Sequence, residues 1–249
     1  AGLLIIPCLS KDGPFGVSLV QASLLGLMTT GGILLISITG LNLLLGYTGQ
    51  ISLGQAAFMM VGAYTSAVIS RQTDLPFLIS LPISALMAGV IGLIFGLTSL
   101  RVKGFYLAMA TLAAQFIIPW AINNYEGGIV NLGHGNPLTV PKANVLGYEI
   151  NTNRDEYYLV LFFVFITAIA ARNIIRSRVG RAWISVRDND LAAEQLGINI
   201  FRYKLLAFFI SAVFAGIAGS LDAYISRSVT DTSFTLEHSN TQLAMLVIG

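Results

Sequence analysis

Few residues in this chain could do covalent chemistry, and they do not gather. His134 and His238 stand 104 positions apart, with no Asp, Glu or Cys at metal-ligand spacing beside either, so no metal site is expected. Cys8 is the only cysteine and cannot form an internal disulfide; it reads as a small apolar residue at a helix end. No Gly-x-x-x-x-Gly-Lys-Ser/Thr run is present to cradle nucleotide phosphates, and no Gly-x-Ser-x-Gly elbow or carboxylate pair suggests hydrolysis. No cofactor is expected. Asp222 is a carboxylate within an apolar stretch, but it lies so near the edge that it reads as solvated.

Two polar constellations remain. Residues 172–204 hold seven of the fourteen basic residues: Arg172, Arg176, Arg178, Arg181, Arg187, Arg202 and Lys204. The second is GLNLLLGYTGQISLGQ, residues 40–55, where Gly40, Gly46, Gly49 and Gly54 alternate with Asn42, Tyr47, Thr48, Gln50, Ser52 and Gln55. It offers amides, hydroxyls and backbone, but no fixed charge.

The elements that must position these groups are membrane helices. Mean hydropathy is +0.76 and charged residues make up 10%, against about 25% in an ordinary soluble domain. Gly13–Ser70, Leu75–Leu100 and Phe105–Tyr125 are free of Asp, Glu, Lys and Arg. A crossing helix needs about 20 apolar residues. These continuous runs disfavour a β-barrel, whose segments are about ten residues of alternating polarity. No basic cluster interleaved with aromatics points to nucleic acid. The expected fold is all-α: a polytopic membrane bundle of about six to seven spans, with a broken glycine-rich segment at 40–55.

Short loops rich in Lys and Arg stay in the cytoplasm. Placing 172–204 inside makes 157–171 an inward span and 205–225 an outward one. The stretch 123–156 is then external, with Gly127, Gly128, Gly133, Gly135, Pro137 and Pro141 marking irregular loop. Residues 105–122 cross outward, 76–98 inward, and SRQTDLP at 70–76 lies outside. Arg101 and Lys103 join the strip for nine basic residues inside, against Lys11, Arg71, Lys142, Arg154 and Arg227 outside. Two further spans, 18–39 and 54–69, flank the broken segment. Glycine costs a helix about 1 kcal/mol relative to Ala, and bare backbone is tolerated in a membrane only where protein or a water-filled cavity surrounds it. Those glycines fit both lining of a route and packing of helices, and the two are not exclusive.

Gly92/Gly96, Ala212/Gly216 and Ala215/Gly219 stand at the spacing that lets helices approach closely. Gln115 reads as a packing contact, Trp120 as an interfacial anchor, and Tyr157 and Tyr158 as an aromatic belt. Both ends, AGLLIIPCLS and LAMLVIG, read as cut from a longer chain.

Within the strip, Asp188, Asn189 and Asp190 are N-cap candidates for a short helix over Leu191–Leu196, and Gly197 fits its C′ position. On physical grounds alone, this strip also fits a solvated loop held inside by charge.

Resemblance extends the reading. The Ala192-Ala193-x-x-x-Gly197 spacing resembles the EAA loop of ABC-class importers, and VRDNDLAAEQLGIN looks like the version in permeases for branched-chain amino acids. Leu191 stands where the general motif has Glu, and the downstream Pro is absent. Residues 40–69 are similar to that family's signature segment, and VKGFYLAMATLAAQF, 102–116, resembles the span after its next cytoplasmic turn.

The resemblance implies a single transmembrane permease domain over 1–249, truncated at both ends, in a bacterial or archaeal inner membrane. Its implied partners are two ATP-binding subunits, a second homologous permease subunit and an external solute-binding protein, with ATP hydrolysed in the separate ATP-binding chains. Arg187, Asp188, Asn189, Asp190, Ala192, Ala193, Glu194 and Gly197 are then the ATPase-coupling residues. Asn42, Gly46, Tyr47, Thr48, Gly49, Gln50, Ser52, Gly54 and Gln55 are the candidate translocation path. The solute implied is Leu, Ile or Val; a related permease for urea or short amides is the alternative. A proton-coupled carrier or a non-transport scaffold is less favoured.

Overall fold

The computed structural model describes residues 17–73, 76–99, 105–124, 138–141, 144–145, 148–149 and 152–248. The expectations placed on Cys8, Lys11, Arg101, Lys103, Gly127, Gly128, Gly133, His134, Gly135, Pro137 and Lys142 lie outside them. Nine described helices follow in order: α1 Val17–Thr48, α2 Gln55–Thr73, α3 Phe77–Ser99, α4 Phe105–Asn123, α5 Asn153–Arg176, α6 Arg178–Asp188, α7 Asp190–Gln195, α8 Ile200–Ser226 and α9 Leu236–Ile248. Antiparallel strand pairs, β1 Leu138–Thr139 with β4 Ser228–Val229 and β2 Asn144–Val145 with β3 Tyr148–Glu149, are the only described strands.

The all-α membrane bundle is therefore present. By length and composition, four described helices could cross a membrane: Ser23–Thr48, Phe77–Thr98, Asn153–Arg176 and Ile200–Ser226. The helix expected over 54–69 is of a different kind. In α2 every residue from Gln55 to Tyr64 is buried, so it stands inside the bundle. The apolar part of α4, Ala108–Ile122, is shorter than a full span.

α8 is the central post, packed against α1, α2 and α3, while α5 packs on α1 and α9 on α1 and α2. Close approach depends on missing side chains. A Cβ on Gly62 would lie 2.3 Å from the Gly216 carbonyl oxygen, and one on Gly219 would lie 1.9 Å from that of Met59. One on Gly92 would meet the Ala212 Cβ at 2.4 Å. The glycines at 92, 216 and 219 thus perform the packing their spacing implies.

At the end of the bundle away from α6 and α7, Phe77 stacks edge-on against Tyr224 at 4.8 Å, and Tyr224 Oη donates to Ser80 Oγ at 3.1 Å. There Arg227, the left-handed C-cap of α8, reaches Glu156 at the start of α5, 3.4 Å away. Tyr157 is buried and Tyr158 exposed, so only the second faces outward as a belt residue would; Trp120 is exposed as an anchor should be.

The broken segment is narrower than its composition implies. α1 runs unbroken through Gly40, Asn42, Gly46 and Tyr47 to Thr48, and the break covers only 49–54. Tertiary packing overrides glycine's weak helix propensity here. Leu41, Leu43 and Leu44 are fully buried, and Gly40 lets α8 approach so closely that a Cβ would lie 2.8 Å from Phe214 Cβ. The chain turns only at Gly49, whose φ of +68° suits a residue without Cβ.

Candidate functional site

The break returns α2 to the middle of the bundle. Gln55, its first residue, donates from Nε2 to the Ser37 carbonyl at 3.1 Å and accepts from Ser211 Oγ at 3.4 Å. Ser37 stands eleven residues before the end of α1 and Ser211 eleven after the start of α8. At 1.5 Å per residue, both lie about 16 Å inside those helix ends. Six extended residues reach about 20 Å, so 49–54 can span that depth.

A helix N-terminus buried at that depth needs acceptors for its free N–H groups. The Gly54 carbonyl takes Ala57 and Phe58 N–H locally, and further acceptors come from distant elements. Ala56 N–H donates to Ser239 Oγ of α9 at 2.9 Å, and Ala57 N–H to Gln115 Oε1 of α4 at 3.0 Å. Gln115 Nε2 in turn donates to the Phe234 carbonyl at 2.7 Å, and Ser239 Oγ donates to Gln115 Oε1 at 3.1 Å. Ser37 Oγ donates to Gln242 Oε1 at 2.8 Å. Leu53 N–H is held by Thr111 Oγ1 at 3.0 Å, and Gly54 passes so near α4 that a Cβ would lie 2.5 Å from the Thr111 carbonyl oxygen. Every side chain in this network is neutral and buried.

Among the residues proposed for a route, Thr48, Gln50, Ser52, Gly54 and Gln55 are buried, Gly46 and Tyr47 are half-buried, and Asn42 and Gly49 are exposed. The Gln50 Oε1 and Ser52 Oγ oxygens are buried without a protein partner, an uncommon condition for interior polar atoms.

The basic strip folds as two short helices. Ser177 caps α6 by accepting from Val179 N–H at 3.1 Å. Asn189 caps α7, its Oδ1 accepting from Leu191 and Ala192 N–H at 3.0 and 3.2 Å. Gly197, at φ +80°, closes α7: its N–H donates to the Glu194 carbonyl and Ile198 N–H to the Ala193 carbonyl. That is the double hydrogen bond of a Schellman end. The short helix and its glycine stop therefore stand where the sequence placed them; α6 has no counterpart in the sequence reading.

Ala193 is buried, while Asp188, Asn189, Ala192, Glu194 and Gly197 are exposed. Leu191 and Leu196 project at 70% and 78% exposure. Asp190 Oδ2 accepts from Lys204 Nζ at 2.8 Å. Trp183 of α6 is fully buried, and its Nε1 donates to the Tyr203 carbonyl at 2.9 Å.

The two constellations meet. Arg187 Nη1 donates to the Gly46 carbonyl near the end of α1. Gln50 Nε2 donates to Thr48 Oγ1 at 3.0 Å and to the Lys204 carbonyl at 3.4 Å. Residues at the end of α1 and in the break are thus hydrogen-bonded to residues of the strip, a junction which their separation in sequence concealed. Gln115, Ser239 and Gln242 were missed as site residues because single amides and hydroxyls in apolar helices carry no local signal. Among the described residues no three His, Cys, Asp or Glu side chains gather as metal ligands. Every group at the junction is amide, hydroxyl, carbonyl or surface ion, suited to binding and movement.

Comparison with known proteins accords with this geometry. Residues 23–249 match the family model described as branched-chain amino acid transport system / permease component. The chain is 32% identical to the high-affinity branched-chain amino acid transport system permease protein LivM of Escherichia coli, over 84% of this chain and 54% of that protein. It is 31% identical to the same-named protein of Salmonella typhimurium, over the same shares. A nucleoside ABC transporter permease protein, NupC of Lactococcus lactis, is 25% identical over 81% of this chain and 67% of its own length. The chain thus spans about half the length of the first two relatives, at 54%. No solved structure matches.

Proposed function

This chain belongs to the family of branched-chain amino acid transport system permease components, and from that premise we propose that it is the membrane-spanning subunit of an ATP-driven importer of Leu, Ile and Val. In this reading a binding protein delivers the solute from outside, and a second permease subunit completes the pathway. Two ATP-binding subunits dock on the strip 172–204 at the cytoplasmic face of a bacterial or archaeal inner membrane. The stretch 123–156 is the external loop. Six to seven crossings follow if α2 and α4 complete theirs together with neighbouring chain.

The observation that carries the reading is the hydrogen-bonded junction between the strip and the break. The strip, whose exposed α7 projects Leu191 and Leu196, is hydrogen-bonded through Arg187 of α6 to the end of α1 and through Lys204 of α8 to Gln50 in the break that seats α2. A partner that displaced α7 would act on the neutral network at Gln55 and Gln115, biasing a two-state equilibrium of the helices. A neutral, amide-rich route also suits a zwitterion, which an isolated buried charge would hold fast.

Reconstituted with its partner permease, ATPase and binding protein, the chain should take up labelled leucine, with valine and isoleucine competing and urea, short amides and nucleosides not. Competition by a nucleoside instead would favour the solute class that the name of the Lactococcus lactis relative carries. Charge reversal at Asp190 and Glu194 should lower copurification of the ATP-binding subunit while leaving the permease in the membrane. Full recovery of that subunit, with uptake intact, would remove the docking assignment.

A further inference from the structure

The last carbonyls of α1 show how the strip is fastened. A helix leaves its final four C=O groups without partners of its own. At the end of α1, the Leu45 carbonyl is taken by Gly49 N–H at 3.1 Å and the Leu44 carbonyl by Gln50 N–H at 3.2 Å. The Gly46 carbonyl is filled from outside the segment, by the Arg187 guanidinium. The Arg187 stem lies along the turn as well: a Cβ on Gly49 would sit 3.5 Å from Arg187 Cγ. A cation at a helix C-terminus is favoured by the carbonyl dipoles.

The strip that carries Arg187 is anchored at two points. Trp183, one turn before it, is buried with its indole N–H engaged, and the Asp190–Lys204 pair ties the start of α7 to α8. Only Asn189 separates α6 from α7, and it is spent as the cap of α7. A displacement of α7 therefore carries α6 with it. Of the two hydrogen bonds that tie this body to the end of α1 and the break after it, the Gln50–Lys204 contact is long, at 3.4 Å, and neutral. Arg187 supplies the charge-assisted one.

We propose that Arg187 is the pin that transmits movement of the strip to the break, holding α1 by the Gly46 carbonyl, and is not a contact for the ATP-binding partner. Its consequence for transport rests on the role proposed above. Arg187 is a positioning residue: it sets where residues 49–54, and so the start of α2, stand relative to the strip. Arg187 is exposed too, but its Nη1 is engaged at Gly46; the docking face is assigned instead to Leu191, Glu194 and Leu196, which point into solvent.

The test uses the whole transporter in proteoliposomes, with two substitutions. Arg187→Met keeps the stem and removes the donors; Arg187→Lys restores a cation. The Met variant should retain its ATP-binding subunits and hydrolyse ATP, yet move about tenfold less leucine per ATP, as loss of one charge-assisted hydrogen bond would give. The Lys variant should recover at least half of the native ratio. Hydrogen exchange on the purified permease should show faster exchange over 44–54 in the Met variant. A native leucine-to-ATP ratio in Arg187→Met, loss of the ATP-binding subunits from it, or unchanged exchange over 44–54 would each overturn the pin. If the native complex moves no branched-chain amino acid, the transport role falls, and exchange over 44–54 alone decides the pin.

Discussion

Adding one methyl group at Gly219 should loosen the seam on which the whole site hangs. A Cβ there would sit 1.9 Å from the carbonyl oxygen of Met59 and 2.6 Å from its carbon, about 1.5 Å short of ordinary contact. The obstacle is backbone, so no rotamer change relieves it; α2 and α8 must separate. Three residues from each contact atom, the seam is equally tight, since Gly62 meets Gly216 backbone with no room for a Cβ. Forcing atoms into such packing costs about 1–3 kcal/mol, and alanine's better helix propensity returns about 1 kcal/mol. Because backbone blocks the site, the upper part of that range applies, and the net loss is about 1–2 kcal/mol. Gly26→Ala adds the same atom where nothing lies within 4 Å, so only the propensity gain remains. The order of thermal midpoints in detergent should be Gly26→Ala at or above the native protein and Gly219→Ala below it. Uptake should fall in the second, since Met59 lies one turn beyond the network at Gln55. A Gly219→Ala protein as stable as the native one would refute the backbone-to-backbone seam.

Two further outcomes follow from the same geometry. Gln115→Leu keeps the side chain's bulk but strips the bonds to Ala57, Phe234 and Ser239. A buried polar group left unmatched costs about 1–3 kcal/mol, so the midpoint and uptake should both drop; neither changing would return Gln115 to simple packing. A cysteine at exposed Leu196, in a chain with Cys8 replaced by Ser, should react with a membrane-impermeant maleimide in inside-out vesicles only. Labelling from the outer face would reverse the sidedness assigned to the strip.

Much of the scaffold was legible because membrane helices announce themselves by composition. The expected segments at 105–122, 157–171 and 205–225 fall within helices, as does 76–98 but for its first residue, and α7 with its Gly197 end was readable from local capping chemistry alone. What failed to show was anything decided by partners far away in sequence. Gly40 and Gly46 looked like breakers, but Gly40 stays helical because α8 occupies the space its missing side chain leaves. Gln115 looked like packing because its partners, Phe234 and Ser239, are 119 and 124 residues away. Arg187 read as one of the coupling residues of the strip, and only the fold shows that its exposed side chain reaches the Gly46 carbonyl of α1.

The neutrality of the buried network is itself informative about how much work the strip must deliver. Freeing the start of α2 requires parting Gln55 from Ser37 and Ser211, Ala56 from Ser239 and Ala57 from Gln115. At about 0.5–1.5 kcal/mol net for each neutral hydrogen bond, that is roughly 2–6 kcal/mol. Reversing a two-state population from 1:99 to 99:1 takes about 5.5 kcal/mol of differential binding. The two quantities are comparable, so on the proposed role a nucleotide-driven partner acting through Arg187 can open and reclose the network. A buried ion pair at the same place would lock it, because leaving one charge unpaired costs about 3–5 kcal/mol on its own. Amides and hydroxyls therefore suit the middle of this bundle, and the charged groups of the junction, Arg187 on the Gly46 carbonyl and the Asp190–Lys204 pair, stay at its edge.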